Sequence, residues 1–343
     1  MSMPRELLLS EYDYELPPEL IAQSPLPERR ESKLLVLHRD TGEIEHRHFY
    51  DLPEYLRPGD LLVMNDTKVT ALRLRGTKPT GAKVEALLLK DLGANRWDSI
   101  VKPGRRVRVG AKVVFGDGGL TAAVVERTET GGRILDFGDE PGTAERIRRL
   151  GEIPLPPYIH RALKDASRYQ TVYACEPGSA AAPTAGFHFT PEMLDRIRAM
   201  GVKTACVTLN VGLATFRPVR TENITDHVMH TEAISISPEA ADAVNSAKGR
   251  IIAVGTTTVR ALESAAVGKR RIAAMDCETG LFITPGYDFK VMDALITNYH
   301  MPRSTLLILV SAFAGRDRIM RAYEAAKRNG YRFLSFGDAM MIL

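Results

Sequence analysis

The chain has 343 residues, of which 44% are hydrophobic and 26% charged, and its formal net charge is +4. This composition is that of a soluble globular protein, and the length is sufficient for two domains. The sequence contains no apolar run of membrane-spanning length and no signal-peptide pattern at its start. Three scattered cysteines argue for reduced thiols and against a disulfide or zinc framework. We therefore expect a cytoplasmic protein with no membrane partner.

The first distinctive region, residues 61–137, consists of short runs rich in Val, Leu and Thr that are separated by glycines. Strands at such spacing, with turn glycines between them, are typical of a small barrel or sandwich. The predicted strands are 71–75, 83–89, 106–109, 112–115, 120–125 and 133–137. The sequence thus predicts an all-β, barrel-like domain over residues 61–151.

From about residue 152 the pattern changes to strands that alternate with helices, which predicts a layered α/β domain. The predicted strands are 202–209, 250–254 and a final strand from Tyr331. The predicted helices follow Thr190 and span 238–248, 258–266 and 316–329. Pro154-Leu-Pro-Pro is interpreted as the linker that returns from the β domain.

Residues 183–190, Pro-Thr-Ala-Gly-Phe-His-Phe-Thr, place a tight turn and a histidine directly before a predicted helix. Thr190 is the expected N-cap of that helix. A glycine beside the helix start permits close backbone approach, which favours binding of a polar ligand. Thr184 and Gly186 are therefore candidate ligand contacts, and His188 is a candidate catalytic residue. The alternative is a buried structural histidine in a tight turn.

Residues 251–263 predict a buried strand, a Gly-Thr-Thr-Thr turn and a helix. The free N–H groups of the helix start and the threonine hydroxyls suit a polar ligand. Arg260, expected within the first turn, would hold a carboxylate or phosphate. The candidate binding residues are Gly255, Thr256, Thr257 and Arg260. N-capping by threonine is the alternative, and the chain has no dinucleotide or nucleoside-triphosphate motif.

Asp226-His-Val-Met-His230 is a candidate acid/base group. In a helix, Asp226 and His230 would share a face, because residues four apart are neighbours there. A structural hydrogen-bonded pair is the alternative. A metal site is least favoured, because a third ligand is lacking nearby.

Asn298-Tyr-His300 lies in a loop before an apolar run that Ser304 or Thr305 can cap. An amide and a histidine in such a loop are a candidate nucleoside contact. The alternative is a loop packed by Tyr299 and Met301.

Two runs of basic residues without acidic neighbours fall in the predicted β domain, at 67–78 and 99–116. Such side chains suit contacts to RNA phosphates, which position a substrate without reading its sequence. A solvated strand face is the alternative for either run. The candidate RNA-binding residues are Lys68, Arg73, Arg75, Lys102, Arg105, Arg106 and Arg108.

In this order, the motifs resemble one family, the S-adenosylmethionine:tRNA ribosyltransferase-isomerases of queuosine biosynthesis. The likeness covers nearly the whole chain, and its further motifs are Glu15-Leu-Pro-Pro-Glu-Leu, Asn65-Asp-Thr-Lys-Val, Tyr169-Gln-Thr-Val-Tyr, residues 207–216 and Tyr331-Arg-Phe-Leu-Ser-Phe. Two positions depart from the family pattern. Asn210 stands where histidine is usual, and Ala214 stands where glycine is usual.

The resemblance implies that S-adenosylmethionine acts as co-substrate and donates its ribosyl carbons rather than its methyl group. The acceptor would be 7-aminomethyl-7-deazaguanine at the wobble position of tRNA, and the products epoxyqueuosine, adenine and methionine. The resemblance implies no metal and no prosthetic group. It also implies that the β domain is inserted into a discontinuous α/β catalytic domain of residues 1–60 and 152–343. We expect a monomer.

Such a reaction needs several proton transfers near neutral pH, which suit histidines and a carboxylate. The candidates within the motifs are His188, Asp226, His230, Glu263 and His300. A rival hypothesis is another S-adenosylmethionine-dependent enzyme of the methyltransferase type, which would carry a glycine-rich turn after its first strand, and the chain has none. A second rival is a non-catalytic RNA-binding protein, which would not need the polar loops of the α/β region.

Overall fold

The computed structural model describes residues 5–129, 131–212, 215 and 218–343. The strands are β1 (Lys33–Leu37), β2 (Ile44–His48), β3 (Leu61–Asn65), β4 (Thr67–Val69), β5 (Leu72–Thr77), β6 (Lys83–Asp91), β7 (Arg96–Lys102), β8 (Lys112–Phe115), β9 (Leu120–Arg127), β10 (Arg133–Asp136), β11 (Glu176–Ser179), β12 (Lys203–Leu209), β13 (Glu232–Ile236), β14 (Ile251–Val254), β15 (Ala266–Gly268), β16 (Arg271–Ile272), β17 (Met275–Thr279), β18 (Ala294–Asn298) and β19 (Ala339–Ile342). The helices are α1 (Thr143–Leu150), α2 (Pro191–Ala199), α3 (Pro238–Asn245), α4 (Thr256–Ser264), α5 (Thr305–Ala314) and α6 (Arg316–Arg328).

The chain divides into two compact units. The α/β unit contains Met1–Thr67, Pro156–Glu176 and Ala182–Leu343, and the barrel unit contains Lys68–Leu155 and Pro177–Ala181. The fold class predicted from the sequence, a layered α/β domain with an all-β barrel, is confirmed.

The α/β unit is built on a mixed sheet, in which nine strands of the described residues follow the order β17-β13-β12-β3-β14-β18-β19-β1-β2. The neighbours β12, β3, β14 and β18 run parallel, whereas β19 is antiparallel to β18 and parallel to β1. Strands such as β14 and β18 are buried along their whole length, as their unbroken apolar sequences predict. The four parallel strands therefore end at one edge of the sheet, where β1 and β19 begin.

Helix α2 begins as its sequence predicts. The Thr190 side chain accepts a hydrogen bond from the backbone N–H of Met193, and Pro191 takes the first helical position. Gly201, directly after the C-cap, has φ +83°, which favours glycine. Ser304 likewise caps α5. These ends are fixed by residues within one helical turn, so the sequence alone identifies them.

The final strand differs from the prediction. It spans Ala339–Ile342 and does not start at Tyr331. The preceding segment turns instead, because the buried Asp338 carboxylate accepts hydrogen bonds from the backbone N–H groups of Lys33 (3.0 Å) and Arg332 (2.8 Å). A carboxylate that binds two distant N–H groups is a tertiary effect that an apolar pattern does not reveal.

In the barrel unit, the described strands close into a barrel in the order β10-β7-β6-β5-β8-β9, and β9 pairs with β10. Alternate side chains point inward, as Val84, Ala86 and Leu88 of β6 do. The strand predicted at 106–109 is wrong. That stretch lies in the loop between β7 and β8, and the strand that precedes it, β7, was missed because its sequence is largely polar.

The predicted start of the β domain at residue 61 needs correction. β3 (Leu61–Asn65) lies between β12 and β14 in the large sheet, and the barrel unit begins at Lys68. β3 is completely buried, and its apolar sequence resembles that of a barrel strand.

Within the described residues, no helix is both long and apolar enough to cross a membrane.

Candidate active site

Polar side chains gather where the parallel strands of the α/β unit end. Asn65 ends β3, Asn298 ends β18, Asn210 follows β12 and Gly255 follows β14. In open α/β sheets, ligands bind outside the carboxyl ends of the strands, near the point where the strand order reverses. The chain passes from β3 to β12 on one side and then to β14 on the other, so this edge contains such a point.

His188 lies at this edge in a chain of hydrogen bonds, here called the His188 network. Its Nδ1 is 2.8 Å from Ser32 Oγ, and its Nε2 is 3.4 Å from Asn298 Nδ2. The Thr184 hydroxyl donates to Asn298 Oδ1 at 2.9 Å, and Ser32 Oγ donates to the carbonyl of Arg29 at 3.1 Å. The segments 183–190 and 297–300, more than 100 residues apart, thus meet at this edge.

The directions of these bonds fix the protonation of the His188 ring. Ser32 donates its only hydroxyl hydrogen to a carbonyl, so its oxygen accepts a hydrogen bond from the Nδ1–H of His188. Asn298 accepts at Oδ1, so its amide group donates to Nε2. Burial, together with the positive charges of Arg332 and Arg29, lowers the pKa of His188 to about 3. The imidazole is therefore neutral at physiological pH, with its lone pair on Nε2.

Two glycines let the backbone segments approach each other. A Cβ on Gly186 would lie 2.0 Å from the hydroxyl oxygen of Tyr173, which is closer than any contact allows. Gly255 has φ +93°, a backbone conformation that favours glycine. A Cβ built on Gly255 would lie 3.6 Å from the Cβ of Ala185, so the two residues are neighbours. The start of α4 therefore meets the 183–190 segment.

A second group of polar side chains, the Asn65 network, lies at the ends of β3 and β12. Asn65 Nδ2 donates to Thr257 Oγ1 at 3.1 Å, and Asn65 Oδ1 accepts from the backbone N–H of Thr67 and of Leu209. The Thr67 hydroxyl donates to Asn210 Oδ1 at 2.6 Å. Asn210, which departs from the family pattern, is thus part of this network. Ala214, the other departure, lies outside the described residues.

Arg260 is not free to hold a ligand. α4 begins at Thr256, so Arg260 lies in its second turn and not in the first. Its guanidinium forms a buried ion pair with Glu232 and donates to the carbonyls of Leu281 (3.1 Å) and Thr279 (3.3 Å). Glu232 in turn accepts from the backbone N–H of Gly212 at 2.9 Å. The pair supports the loop after β12.

Glu263 also has a supporting position. Its carboxylate accepts hydrogen bonds from the backbone N–H groups of Lys290 (2.9 Å), Val291 (3.0 Å) and Met292 (3.3 Å), and from the Tyr287 hydroxyl (3.3 Å). These bonds occupy both oxygens. The arrangement fixes a loop and does not bring Glu263 into the His188 network.

The His300 side chain is buried behind the same edge. Its Nε2 is 3.0 Å from Thr297 Oγ1, and burial lowers its pKa to about 3. The backbone carbonyl accepts from the Tyr14 hydroxyl at 2.5 Å, while the backbone N–H donates to the Tyr323 hydroxyl at 2.9 Å. The His300 ring is therefore neutral, and hydrogen bonds hold both its side chain and its backbone.

The segment from Asp226 to His230 is not α-helical, so the predicted shared helix face is wrong. A 3-10 helix, Ile224–Asp226, is capped by the Asn223 side chain and ends before His227, whose backbone is extended. Asp226 and His230 are exposed. The described residues contain no group of three or more His, Cys, Asp or Glu side chains that would hold a metal.

The predicted RNA-binding residues of the barrel unit divide into two sets. Arg73 and Arg75 are engaged, Arg73 at 3.8 Å from Glu85 and Arg75 at 3.2 Å from Glu152. The others are exposed and have no ion pair within the described ranges: Lys68, Lys102, Arg105, Arg106 and Arg108. The last three lie in the loop between β7 and β8, here called the basic loop (103–111).

A buried arginine holds the basic loop in place. The Arg133 guanidinium donates to the carbonyls of Val107 (2.9 Å), Gly104 (2.9 Å), Gly131 (2.9 Å) and Gly132 (2.7 Å). Val107 itself is completely buried. The loop is thus anchored at two points, and its charged side chains point to solvent.

Comparison with known proteins adds the family. A model described as "Queuosine biosynthesis protein" matches residues 9–342. The chain belongs to the queuosine biosynthesis protein family. This confirms the resemblance seen in the sequence.

Relatives within the queuosine biosynthesis family cover almost the whole chain. A protein of Moorella thermoacetica named S-adenosylmethionine:tRNA ribosyltransferase-isomerase is 56% identical over 98% of this chain and 99% of its own length. A protein of the same name from Halothermothrix orenii is 55% identical over the same shares. The crystal structure of S-adenosylmethionine tRNA ribosyltransferase from Thermotoga maritima is 40% identical, covers 97% of this chain and 100% of its own, and has a TM-score of 0.55.

For this member of the queuosine biosynthesis family, the sequence interpretation missed several residues of the site. They are Ser32, Asn65, Thr67 and Glu232. Asn65 and Thr67 flank the end of a buried strand, a position that often carries ligand contacts in α/β sheets and was a usable signal. Nothing in the sequence indicated Ser32 or Glu232, because their partners lie far away in the sequence.

Proposed function

We propose that this chain transfers and isomerises the ribosyl group of S-adenosylmethionine on a tRNA. The observation that carries the proposal is the near-complete match to relatives named for that activity, at 50–56% identity. The polar edge of the α/β unit supports it, since it gathers polar side chains at the usual ligand position of such sheets.

The acceptor in the proposed reaction is the aminomethyl group of 7-aminomethyl-7-deazaguanine at the tRNA wobble position. The sulfonium acidifies the C5′ protons, so a base removes one to give an ylide. The bond between C1′ and adenine breaks and adenine leaves with a proton, the acceptor amine loses a proton as it bonds to the ribosyl group, and an alkoxide displaces methionine by breaking the C5′–sulfur bond, which closes the epoxide. The sulfonium carries this chemistry without a prosthetic group.

Position and tautomer, rather than basicity, make His188 the proposed proton acceptor, because a ring with a pKa of about 3 is a weak base. Its neutral ring keeps a lone pair on Nε2 that only a long, 3.4 Å bond to Asn298 engages. A substrate proton therefore competes with a weak hydrogen bond. Neither His188 nor His300 begins the reaction with a proton to give to adenine, because both rings are neutral at physiological pH. That proton comes from another group, from the substrate, or from His188 after it has accepted a proton.

The ribose and the adenine are proposed to lie against the start of α4. Thr256 and Thr257 present backbone N–H groups and hydroxyls there, whereas the N–H of Gly255 already donates to the carbonyl of Ile296 at 2.8 Å. Thr184 and Asn298 orient His188, which is proposed to lie on the other side of the ribose and the adenine from α4. Arg260 and Glu263 support these loops, and Asp226 and His230 lie on the surface, so we assign none of these four to proton transfer.

The tRNA phosphates are proposed to contact the barrel unit through the exposed basic side chains. Lys102, Arg105, Arg106 and Arg108 have no competing carboxylate within the described residues, which leaves their charge available to phosphate. Arg73 and Arg75 take part only if they exchange Glu85 and Glu152 for phosphate.

The test is an incubation of the chain with S-adenosylmethionine and a tRNA that carries the aminomethyl deazaguanine. We expect adenine and methionine to be released in equal amounts, with mass gain in the tRNA. Two controls isolate the chemistry: tRNA with unmodified guanine removes the acceptor amine, and S-adenosylhomocysteine removes the sulfonium. Release of S-adenosylhomocysteine from S-adenosylmethionine would instead indicate a methyltransferase, and absence of any product would leave the chain a binding protein.

A further inference from the structure

A recess beside His188, within the α/β unit, is surrounded by three arginines. Arg29, Arg168 and Arg332 line it, together with Ser32 and Phe187. The recess encloses about 270 Å³ of empty space, part of it open to solvent. None of the three arginines was a candidate in the sequence, because they are dispersed over more than 300 positions.

The three guanidiniums are held by backbone carbonyls and not by carboxylates. Arg29 donates to Phe187, Ser167 and Gln170. Arg168 donates to Leu26 and Pro27, and Arg332 to Ser24 and Phe336. These bonds position the planes of the guanidiniums and leave their positive charge without a counter-ion.

Negative charge near the recess is sparse. Within the described residues, none of the three arginines forms an ion pair. Asp165 acts on Arg29, and Asp338 on Arg332, only through longer-range attraction. Arg168 and Arg29 repel each other, and burial lowers the pKa of Arg29. Three half-buried like charges are costly in this arrangement unless an anion joins them.

Donors also remain unused. A guanidinium has five N–H groups, and the bonds above use two or three of each. The Nε of Arg168 is buried and has no acceptor in the described part of the chain. A buried donor without a partner costs free energy, which a ligand acceptor would recover.

We propose that this recess binds an oxyanion group of a substrate, a carboxylate or a phosphate, and so holds the reacting end of that substrate beside His188. The proposal rests on the proposed function, which supplies two such groups: the carboxylate of S-adenosylmethionine and the phosphates of tRNA.

The experiment measures binding without turnover for the wild type, Arg168→Gln and Arg332→Gln. Arg168→Lys keeps the positive charge at residue 168. Arg196→Gln is the matched control, since Arg196 is exposed on α2 and does not line the recess. The probes are S-adenosylmethionine, decarboxylated S-adenosylmethionine and tRNA at several salt concentrations. Thermal unfolding checks that each variant is folded. If Arg168→Gln does not fold, the test relies on Arg332→Gln.

If the carboxylate occupies the recess, the glutamine variants lose about ten- to a hundredfold in affinity for S-adenosylmethionine. They bind the decarboxylated compound as the wild type does, and their tRNA affinity is unchanged. If a phosphate occupies it, tRNA binding weakens, its logarithmic salt slope falls by about one, and both small molecules bind normally. Arg168→Lys recovers part of the loss in either case.

Folded glutamine variants that bind all three probes as Arg196→Gln does would overturn the proposal. So would an equal loss for S-adenosylmethionine and its decarboxylated form, since that indicates a general disturbance. These results are distinct from failure of the proposed function, in which the wild type itself releases no adenine. In that event the assignment of the two substrate groups fails with it.

Discussion

The two units of the chain hold their polar side chains in opposite ways. In the α/β unit, His188, Asn298 and Thr184 are withdrawn from solvent and bonded to one another. In the barrel unit, Arg105 and Arg108 are exposed and unpaired among the described residues. The first arrangement fixes atoms at set distances, as proton transfer requires. The second presents charge that tolerates many phosphate positions.

Under the proposed function, the difference means that the two units recognise one substrate in two different ways. A buried network is sensitive to the loss of a single atom, because the groups left behind have no other partners. An exposed basic loop is sensitive to its total charge, because each contact is weak and screened by salt. Substitutions in the two units should therefore differ in both size and kind of effect.

The largest effect is expected for His188→Ala. Removal of a proton-transfer group typically costs about a hundred- to ten-thousand-fold in rate, so kcat should fall by that factor, with tRNA affinity within about twofold of the wild type. Adenine release at saturating substrate measures the first quantity, and filter binding measures the second. His160→Ala is the control, since His160 is an exposed histidine of the same unit.

The opposite outcome would contradict the proposed difference between the two units. If His188→Ala loses tRNA affinity but keeps its turnover at saturation, the histidine is a binding or structural residue. The α/β network would then resemble the basic loop in function, and its burial would serve packing alone.

How much of this the sequence predicts depends on how local the interactions are. The caps at Thr190 and Ser304 are correct, because each involves residues three apart. The glycine-punctuated strands likewise predict the closed barrel. Arg260 was misjudged, because its partner Glu232 lies 28 residues away and the pairing depends on the tertiary fold. The basic loop was mistaken for a strand, because Arg106–Val109 alternates polar and apolar residues as strands do.

A smaller effect is expected in the dependence of stability on pH. The folded chain holds His188 and His300 with pKa values of about 3, whereas an unfolded histidine has about 6.5. Below pH 6.5 the unfolded state binds more protons, so these residues stabilise the fold above pH 6.5 and progressively less toward pH 3. At pH 5 the loss is about 2 kcal/mol for each histidine.

Urea unfolding at pH 7 and pH 5 measures this loss. His300→Gln should be less sensitive to pH than the wild type, whereas His160→Gln should match it. The barrel unit contains no histidine, so hydrogen exchange at low pH should accelerate first in the α/β unit. Equal acceleration in both units would contradict the assignment.

The smallest effect is expected for the double substitution Arg105→Ala and Arg106→Ala. Each lost phosphate contact lowers the logarithmic salt slope by about 0.9, so the pair should reduce the slope by about two and weaken tRNA binding by about tenfold at moderate salt. Turnover at saturating tRNA should remain close to wild type, because the His188 network is unaltered. Arg148→Ala with Arg149→Ala is the matched control: it removes the same charge from exposed positions on α1, in the same unit. Equal weakening by both pairs would mean that total charge decides and the loop has no special place. A loss confined to Arg105 and Arg106 would instead assign the contact to the loop that Arg133 and Val107 anchor.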